Sequence, residues 1–366
     1  MCAHVRPLDI PPELMGSDSD LTAPFPWFGG KRRVARAVWA ALGDVDNYVE
    51  PFAGSLAVLL GRPDSHTGTT ETVNDKDSFI CNFWRALIAD PEAVAHHADW
   101  PVVETDKFAR HMWLVQEGQP KMLAGLEADP DYYDAKIAGW WVWGISLWIG
   151  SGWCSGKGPW SVNEGTAAKH GDNGTGVSRQ RPHLSSAGQG VSRQLPHLGD
   201  PGRGVNRQGA DDLIGYFEHL AERLRHVRVC NGDWARVTSP GALNYGSTVG
   251  VFLDPPYLGS VRAKDLYAVD DHSISTAVAE WAIANGDDPR LRIVLAGYRP
   301  EHDEMVPPSW QRLTWSAGAS FQTHASAERA DGNAKNRGLE CLWLSPHCNR
   351  VGLDDLIPLD TSDTVV

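Results

Sequence analysis

Val251-Phe252-Leu253-Asp254-Pro255-Pro256-Tyr257 is the stretch that decides the fold. A short apolar run that stops at an acid and two prolines reads as a buried parallel strand ending in a stiff turn. Each proline fixes its own φ and removes a backbone donor. In an open α/β sheet, ligands bind in the crevice beyond the carboxyl ends of the strands. The turn therefore brings a carboxylate (Asp254), a fixed carbonyl (Pro255), a second stiffening ring (Pro256) and a flat aromatic face (Tyr257) to that crevice.

Such a set suits methylation of an amine conjugated with a heterocycle, as on adenine N6 or cytosine N4. That nitrogen is a poor nucleophile. Accepting its two hydrogens with Asp254 and the Pro255 carbonyl localises the lone pair and aims it at an electrophilic methyl, while Tyr257 stacks on the base. This is positioning plus electrostatic stabilisation, and it needs neither a covalent enzyme intermediate nor a metal.

Upstream, Tyr48-Val49-Glu50-Pro51-Phe52-Ala53-Gly54-Ser55-Leu56 reads as strand, glycine turn and the start of a packed helix over residues 56–60. Gly54 lets the backbone come close to a ligand. Asp75 ends Glu71-Thr72-Val73-Asn74 about twenty residues further on, the spacing at which Rossmann-like sites set an acid on ribose hydroxyls. Asp75 or Asp77 equally suits the N-cap of a helix carrying Phe79, Ile80, Phe83, Trp84 and Leu87. Val227-Arg228-Val229-Cys230 reads as a third strand, ending in Asn231-Gly232-Asp233-Trp234. Phe25-Pro26-Trp27-Phe28-Gly29-Gly30-Lys31-Arg32 precedes a further apolar-periodic helix. Residues 92–149 and 273–285 read as helical, and 291–296 and 339–344 as later strands.

In this order the segments resemble the Dam-like, D12-class DNA adenine-N6 methyltransferases, whose F-x-G-x-K, E/D-P-F-x-G-x-G, N-D and D-P-P-Y motifs follow one another with a target-recognition region before the last. The resemblance spans about residues 24–346, apart from a central insertion that matches weakly. It implies an α/β fold: a Rossmann-like S-adenosylmethionine-dependent methyltransferase sheet with an inserted target-recognition domain. S-adenosyl-L-methionine is the implied cofactor and double-stranded DNA the implied partner. By the same resemblance Trp27, Gly29, Gly30 and Lys31 lie over the cofactor and near the target nucleotide. Glu50, with Pro51, Phe52 and Gly54, faces the methionine part of the cofactor, Asp75 its ribose, and Asp233 and Trp234 its adenine. Leu56 stands where the family usually has a second glycine, so the loop is expected to be less open. The implied activity is site-specific methylation of an adenine flipped out of the duplex, in the cytoplasm of a bacterial cell or phage-infected host. A separate cognate restriction enzyme or none are both compatible. Cytosine-N4 methylation, RNA adenine-N6 methylation and a catalytically silent DNA-binding protein of the same fold remain open.

Composition agrees. The 366 residues are enough for a catalytic domain plus an inserted smaller one, and the six cysteines form no C-x-x-C pair, as expected of a reducing cytosol. The longest apolar stretch, 137–149, is too short to span a bilayer, and no signal peptide is apparent. A net charge of −13 argues against a broad nonspecific DNA-binding surface, but residues 151–208 carry seven basic against three acidic side chains. Acids near Pro130 stand too close together for a nuclease motif.

That basic segment contains an internal repeat. Residues 177–190 and 191–204 match at nine of fourteen positions, and Val205-Asn206-Arg207-Gln208 begins the next register. Stacked as short coils, such units set Arg179, Arg193 and Arg207 with Gln180, Gln194 and Gln208 on one face, a candidate DNA-reading ladder, since arginine reads guanine and glutamine adenine. A flexible Gly/Ser insertion expanded by duplication is the alternative. Just before it, residues 150–162 resemble the family's glycine-rich DNA-entering hairpin, with Lys157 near its tip. The expected organisation is a disordered N-terminus (1–21), a catalytic domain split over 22–89 and 226–349, an inserted recognition domain (90–225) with the repeats at 177–208, and a tail (350–366).

Overall fold

The computed structural model describes residues 8–27, 30–148, 153–154, 160–163, 166–169, 209–256, 272–315 and 340–352. Its main sheet has eight strands: β1 (Leu8–Asp9), β2 (Asn47–Glu50), β3 (Thr70–Asp75), β6 (Val227–Asn231), β7 (Val249–Leu253), β8 (Leu291–Tyr298), β9 (Gln311–Thr314) and β10 (Glu340–Leu344). Strands β4 (Trp160–Asn163) and β5 (Thr166–Lys169) form a separate antiparallel pair. The spatial order of the main sheet is β1-β9-β10-β8-β7-β2-β3-β6, and β10 alone runs against its neighbours.

Period-two alternation explains why this sheet is covered on both faces. Val249, Val251 and Leu253 of β7 join one hydrophobic cluster with Ile293 and Leu295 of β8 and Val278, Ala279 and Ala282 of helix α8 (His272–Asn285). Phe252, Val294 and Ala296 point the other way, into the cluster built on α1 (Ala35–Leu42), α2 (Ser78–Ala89) and α7 (Gly209–Leu224). Parallel strands sandwiched between helices are near-continuously apolar, and β7 is buried at all five positions. The chain is thus a Rossmann-like α/β protein.

The helical region after α2 consists of α3 (Pro91–Ala98), α4 (Glu104–Trp113), α5 (Gln119–Ala128) and α6 (Ala135–Leu147), with a π-helical turn at Leu114–Gly118 joining α4 to α5. Val94 of α3, Met122 of α5 and Trp141 of α6 share one cluster with Phe83 and Trp84 of α2 and Phe217 of α7, so these helices extend the core on that face of the sheet. Asn82, fully buried, locks α2 to the start of α6 by exchanging hydrogen bonds with the Asp134 backbone at 3.0 and 2.9 Å. Asp134 in turn caps α6 through the Ile137 amide.

Two expectations are corrected. Residues 56–60 form no regular helix: Gly54 and Leu56 both adopt left-handed φ, +45° and +54°, and the segment closes only into a short 3₁₀ turn at Leu59–Gly61. Within the segment expected to be disordered (1–21), residues 8–21 are packed: β1 pairs with β9, Ile10 is buried and Arg36 gathers the carbonyls of Glu13, Met15 and Ser17. Near the C-terminal end, Val351 exchanges two hydrogen bonds with the Gln311 side chain. The short β4–β5 hairpin pairs Trp160 with Lys169 and Asn163 with Thr166, whereas most of residues 150–162, Lys157 among them, lie outside the described residues.

Candidate active site at the sheet switch point

From β2 the chain builds outward through β3 to β6 and then returns to lay β7 against the other side of β2. The direction of winding reverses between β2 and β7, and a crevice opens at such a point beyond the carboxyl ends of the strands. Glu50 ends β2 and Asp254 follows β7, so both acids stand at this crevice.

Asp254 is half-buried, Pro255 buried and Pro256 half-buried. The Lys31 Nζ lies 2.9 Å from each Asp254 carboxylate oxygen, and Lys31 is itself 4 % exposed. Glu50 is buried and accepts the Tyr48 hydroxyl at 2.9 Å. Burial pushes the Glu50 carboxyl up to about 8; the Tyr48 hydrogen bond opposes this and the charge of Asp254 adds to it.

The glycine turn after β2 is held from several sides. The Gly54 amide donates to Asp75 Oδ2 at 2.9 Å, and the Gly54 carbonyl accepts Trp84 Nε1 at 3.1 Å. A Cβ on Gly54 would fall 2.5 Å from Trp27 Nε1, so the Trp27 indole lies against the turn. Leu56 keeps the backbone conformation a glycine would take but turns its side chain fully into the core. Asn74 ties three strand ends together by donating to the Pro51 and Gly232 carbonyls, each at 3.0 Å.

Asp77, not Asp75, caps α2, through the Phe79 amide at 2.8 Å. Both oxygens of Asp75 accept backbone amides, from Gly54 and Asp77. Burial raises the carboxyls of both acids, that of Asp77 to about 7, with the Asp75 charge as its second cause. Beyond β6, Asp233 is exposed and caps the turn Trp234–Arg236 through the Ala235 amide. The half-buried rings of Trp234 and Phe52 face each other at 6.3 Å and 30°.

The structure thus brings Trp27, Gly30, Lys31, Glu50, Pro51, Phe52, Gly54, Asp75, Asp233, Trp234, Asp254, Pro255 and Pro256 to the ends of four adjacent strands or the segment covering them. Gly29, Tyr257, Lys157, Arg179, Gln180, Arg193, Gln194, Arg207 and Gln208 lie outside the described residues. Tyr48, Asn74 and Trp84 were not anticipated as supports of the site. Their signal is faint, since each looks like an ordinary strand or helix residue until its partner is known.

Acids at successive strand ends, with a flat aromatic pair beside the last, fit an elongated ligand bearing an ammonium, hydroxyls and an amino-heterocycle. A carboxylate has about four acceptor sites, so Asp75 retains capacity beyond its two amides. Among the described residues no group of three or more His, Cys, Asp or Glu side chains could hold a metal ion, and no helix is long and apolar enough to cross a membrane.

Residues 27–110 match the model of the D12 class N6 adenine-specific DNA methyltransferase family. The matched segment carries Lys31, Glu50, Gly54 and Asp75, one side of the crevice and the glycine turn. The match supports DNA adenine methylation as the general activity, with DNA as substrate. No curated protein matches the chain.

Proposed function

We propose that this protein is a site-specific DNA methyltransferase that methylates N6 of an adenine turned out of the duplex. The observation that carries this reading is the meeting of Asp254 and Pro255 with Glu50 and Lys31 at the switch point, within a fold whose N-terminal part matches the D12 class. S-adenosyl-L-methionine is the proposed methyl donor and supplies an electrophilic methyl group. Glu50 receives its ammonium, Asp75 its hydroxyls, and Asp233 with Phe52 and Trp234 its adenine. Gly54 lets the backbone pass close beneath it.

Asp254 and the Pro255 carbonyl accept the two hydrogens of the target amine, leaving the nitrogen lone pair aimed across the crevice. Tyr257 stacks on the extruded base. Extrusion is required because the amine cannot reach this turn from within a stacked duplex. The helices after α2 and the segment 151–208 are proposed to hold the DNA, with Lys157, Arg179, Gln180, Arg193, Gln194, Arg207 and Gln208 as its contacts.

The test is Asp254→Ala. Methyl transfer to duplex DNA is expected to disappear while S-adenosylmethionine affinity, read by calorimetry, is largely kept. Retention of wild-type turnover contradicts the mechanism.

A further inference from the structure

By charge alone, the helices after α2 make a poor surface for DNA. Residues 90–149 carry ten acidic against four basic side chains, whereas residues 151–208 carry three acidic against seven basic. A polyanion is repelled by the first stretch and attracted by the second, so what the helices contribute is the way they hold the basic segment. Two residues at the foot of that segment, Trp153 and Cys154, are buried against them.

Gly144 of α6 opens the notch that Trp153 fills, since a Cβ there would overlap Trp153 Cζ2, Cη2 and Cε2. The indole Nε1 donates to the Trp141 carbonyl at 3.0 Å, and the ring lies 5.1 Å from that of His111 of α4 and 5.2 Å from that of Trp148. The Cys154 amide then donates to His111 Nδ1 at 3.4 Å. Burial holds the His111 imidazole below its usual pKa, which keeps that nitrogen an acceptor at neutral pH. Cys154 has a left-handed φ of +57°, which an L-residue keeps only where its surroundings dictate it. The charge of Asp77 reaches the Cys154 thiol. Asp77 caps α2 two residues beyond Asp75, so the socket stands beside the strand ends that form the crevice, and Lys157 follows three residues after Cys154.

Resting on the reading of this protein as a DNA methyltransferase that holds DNA with residues 151–208, we propose that Trp153 is a positioning residue: seated on Gly144, it fixes the foot of the basic segment beside the crevice and so raises the affinity for duplex DNA. The gain is entropic. A segment whose start is already fixed has less freedom to lose when DNA orders it, so the same contacts bind more tightly. The acids and the glycine turn of the crevice belong to β2, β3, β6 and β7 and take no support from the socket. Cofactor affinity, and turnover once DNA is saturating, therefore do not depend on Trp153.

The experiment compares the wild type, Trp153→Ala, Gly144→Ala and the double variant in their affinity for unmethylated duplex DNA, in KM and kcat for methyl transfer to it, and in affinity for S-adenosylmethionine. Each single variant is expected to weaken DNA binding and raise the DNA KM about 10-fold, with kcat at saturating DNA and cofactor affinity at their wild-type values. Gly144→Ala separates positioning from a general loss of stability. Alanine is the better helix former, so this substitution weakens DNA binding only by expelling the indole. The double variant should accordingly bind DNA no more weakly than Trp153→Ala alone. Wild-type DNA affinity in either single variant, losses that add in the double variant, or a fall in kcat or cofactor affinity matching the fall in DNA affinity overturns the proposal. Should Trp153→Ala not fold, Gly144→Ala decides: a raised DNA KM with wild-type cofactor affinity sustains the proposal, and a wild-type KM overturns it. A wild type that neither binds nor methylates duplex DNA contradicts the methyltransferase reading itself, a separate result from any of these.

Discussion

The Gly54 amide donates to Asp75 Oδ2 at 2.9 Å across two neighbouring strands, and this bond sets the shape of the glycine turn. The other Asp75 oxygen holds the Asp77 amide at 2.9 Å, so one side chain organises both the turn after β2 and the start of α2. Asp75→Ala strips two amides of their acceptor, at a cost of about 1–3 kcal/mol for each that remains buried. Thermal unfolding should register that loss, and cofactor titration a weakened affinity. Asp75→Asn, which keeps one acceptor oxygen, should lose less of both.

Gly54 itself tolerates no side chain. Its φ of +45° costs an L-residue about 1–2 kcal/mol, and its Cβ would fall 2.5 Å from Trp27 Nε1. Gly54→Ala is expected to weaken S-adenosylmethionine binding by more than the backbone term alone. Combining it with Trp27→Ala removes the collision and should recover part of the folding stability. Equal stability of Gly54→Ala with and without Trp27 would show that the indole does not press on the turn.

Leu56 sets two effects against each other. Returning the position to glycine relieves about 1–2 kcal/mol of left-handed strain, but deleting a fully buried leucine side chain costs about 2–5 kcal/mol. Packing wins, so Leu56→Gly should unfold at lower urea than the wild type. A more stable variant would mean that the side chain is a burden on this loop and not its anchor.

The pH dependence of stability follows from groups shifted in opposite directions. The folded Glu50 carboxyl, at about 8 against 4.5, and that of Asp77, at about 7 against 3.8, bind protons more tightly than the unfolded chain. Their contribution is complete below the unfolded values and is lost as pH rises through the folded ones. His302, lowered to about 4 by burial, does the reverse, contributing fully above 6.5 and losing that as pH falls through 4. The histidine effect is therefore spent above 6.5, and from about 6.5 to about 8 stability should fall with rising pH. Glu50→Gln should flatten that slope in urea titrations at the two ends of the window, and an equally steep slope in the variant would contradict the assignment.

Strand ends were legible in the sequence where an apolar run stops at an acid or proline, as at Glu50, Asp75, Asp233 and Asp254. The two strands at the β1 end of the sheet were not. β1 is two residues long, and β9 reads Gln311-Arg312-Leu313-Thr314, with one apolar side chain among four. The run Leu56-Ala57-Val58-Leu59-Leu60 has helix-like composition, but left-handed φ at Gly54 and Leu56 diverts the chain before a helix can start. Composition does not report φ. Nor does spacing report the Lys31–Asp254 pair, which closes over 223 residues of chain.

The most direct measurement is transfer of labelled methyl from S-adenosylmethionine to unmethylated duplex DNA, followed by nucleoside analysis of the product. The account predicts label in N6-methyladenine, and none when Asp254 is alanine. Label in N4-methylcytosine would contradict the adenine assignment, and no label on any duplex, with cofactor binding intact, would contradict the enzyme.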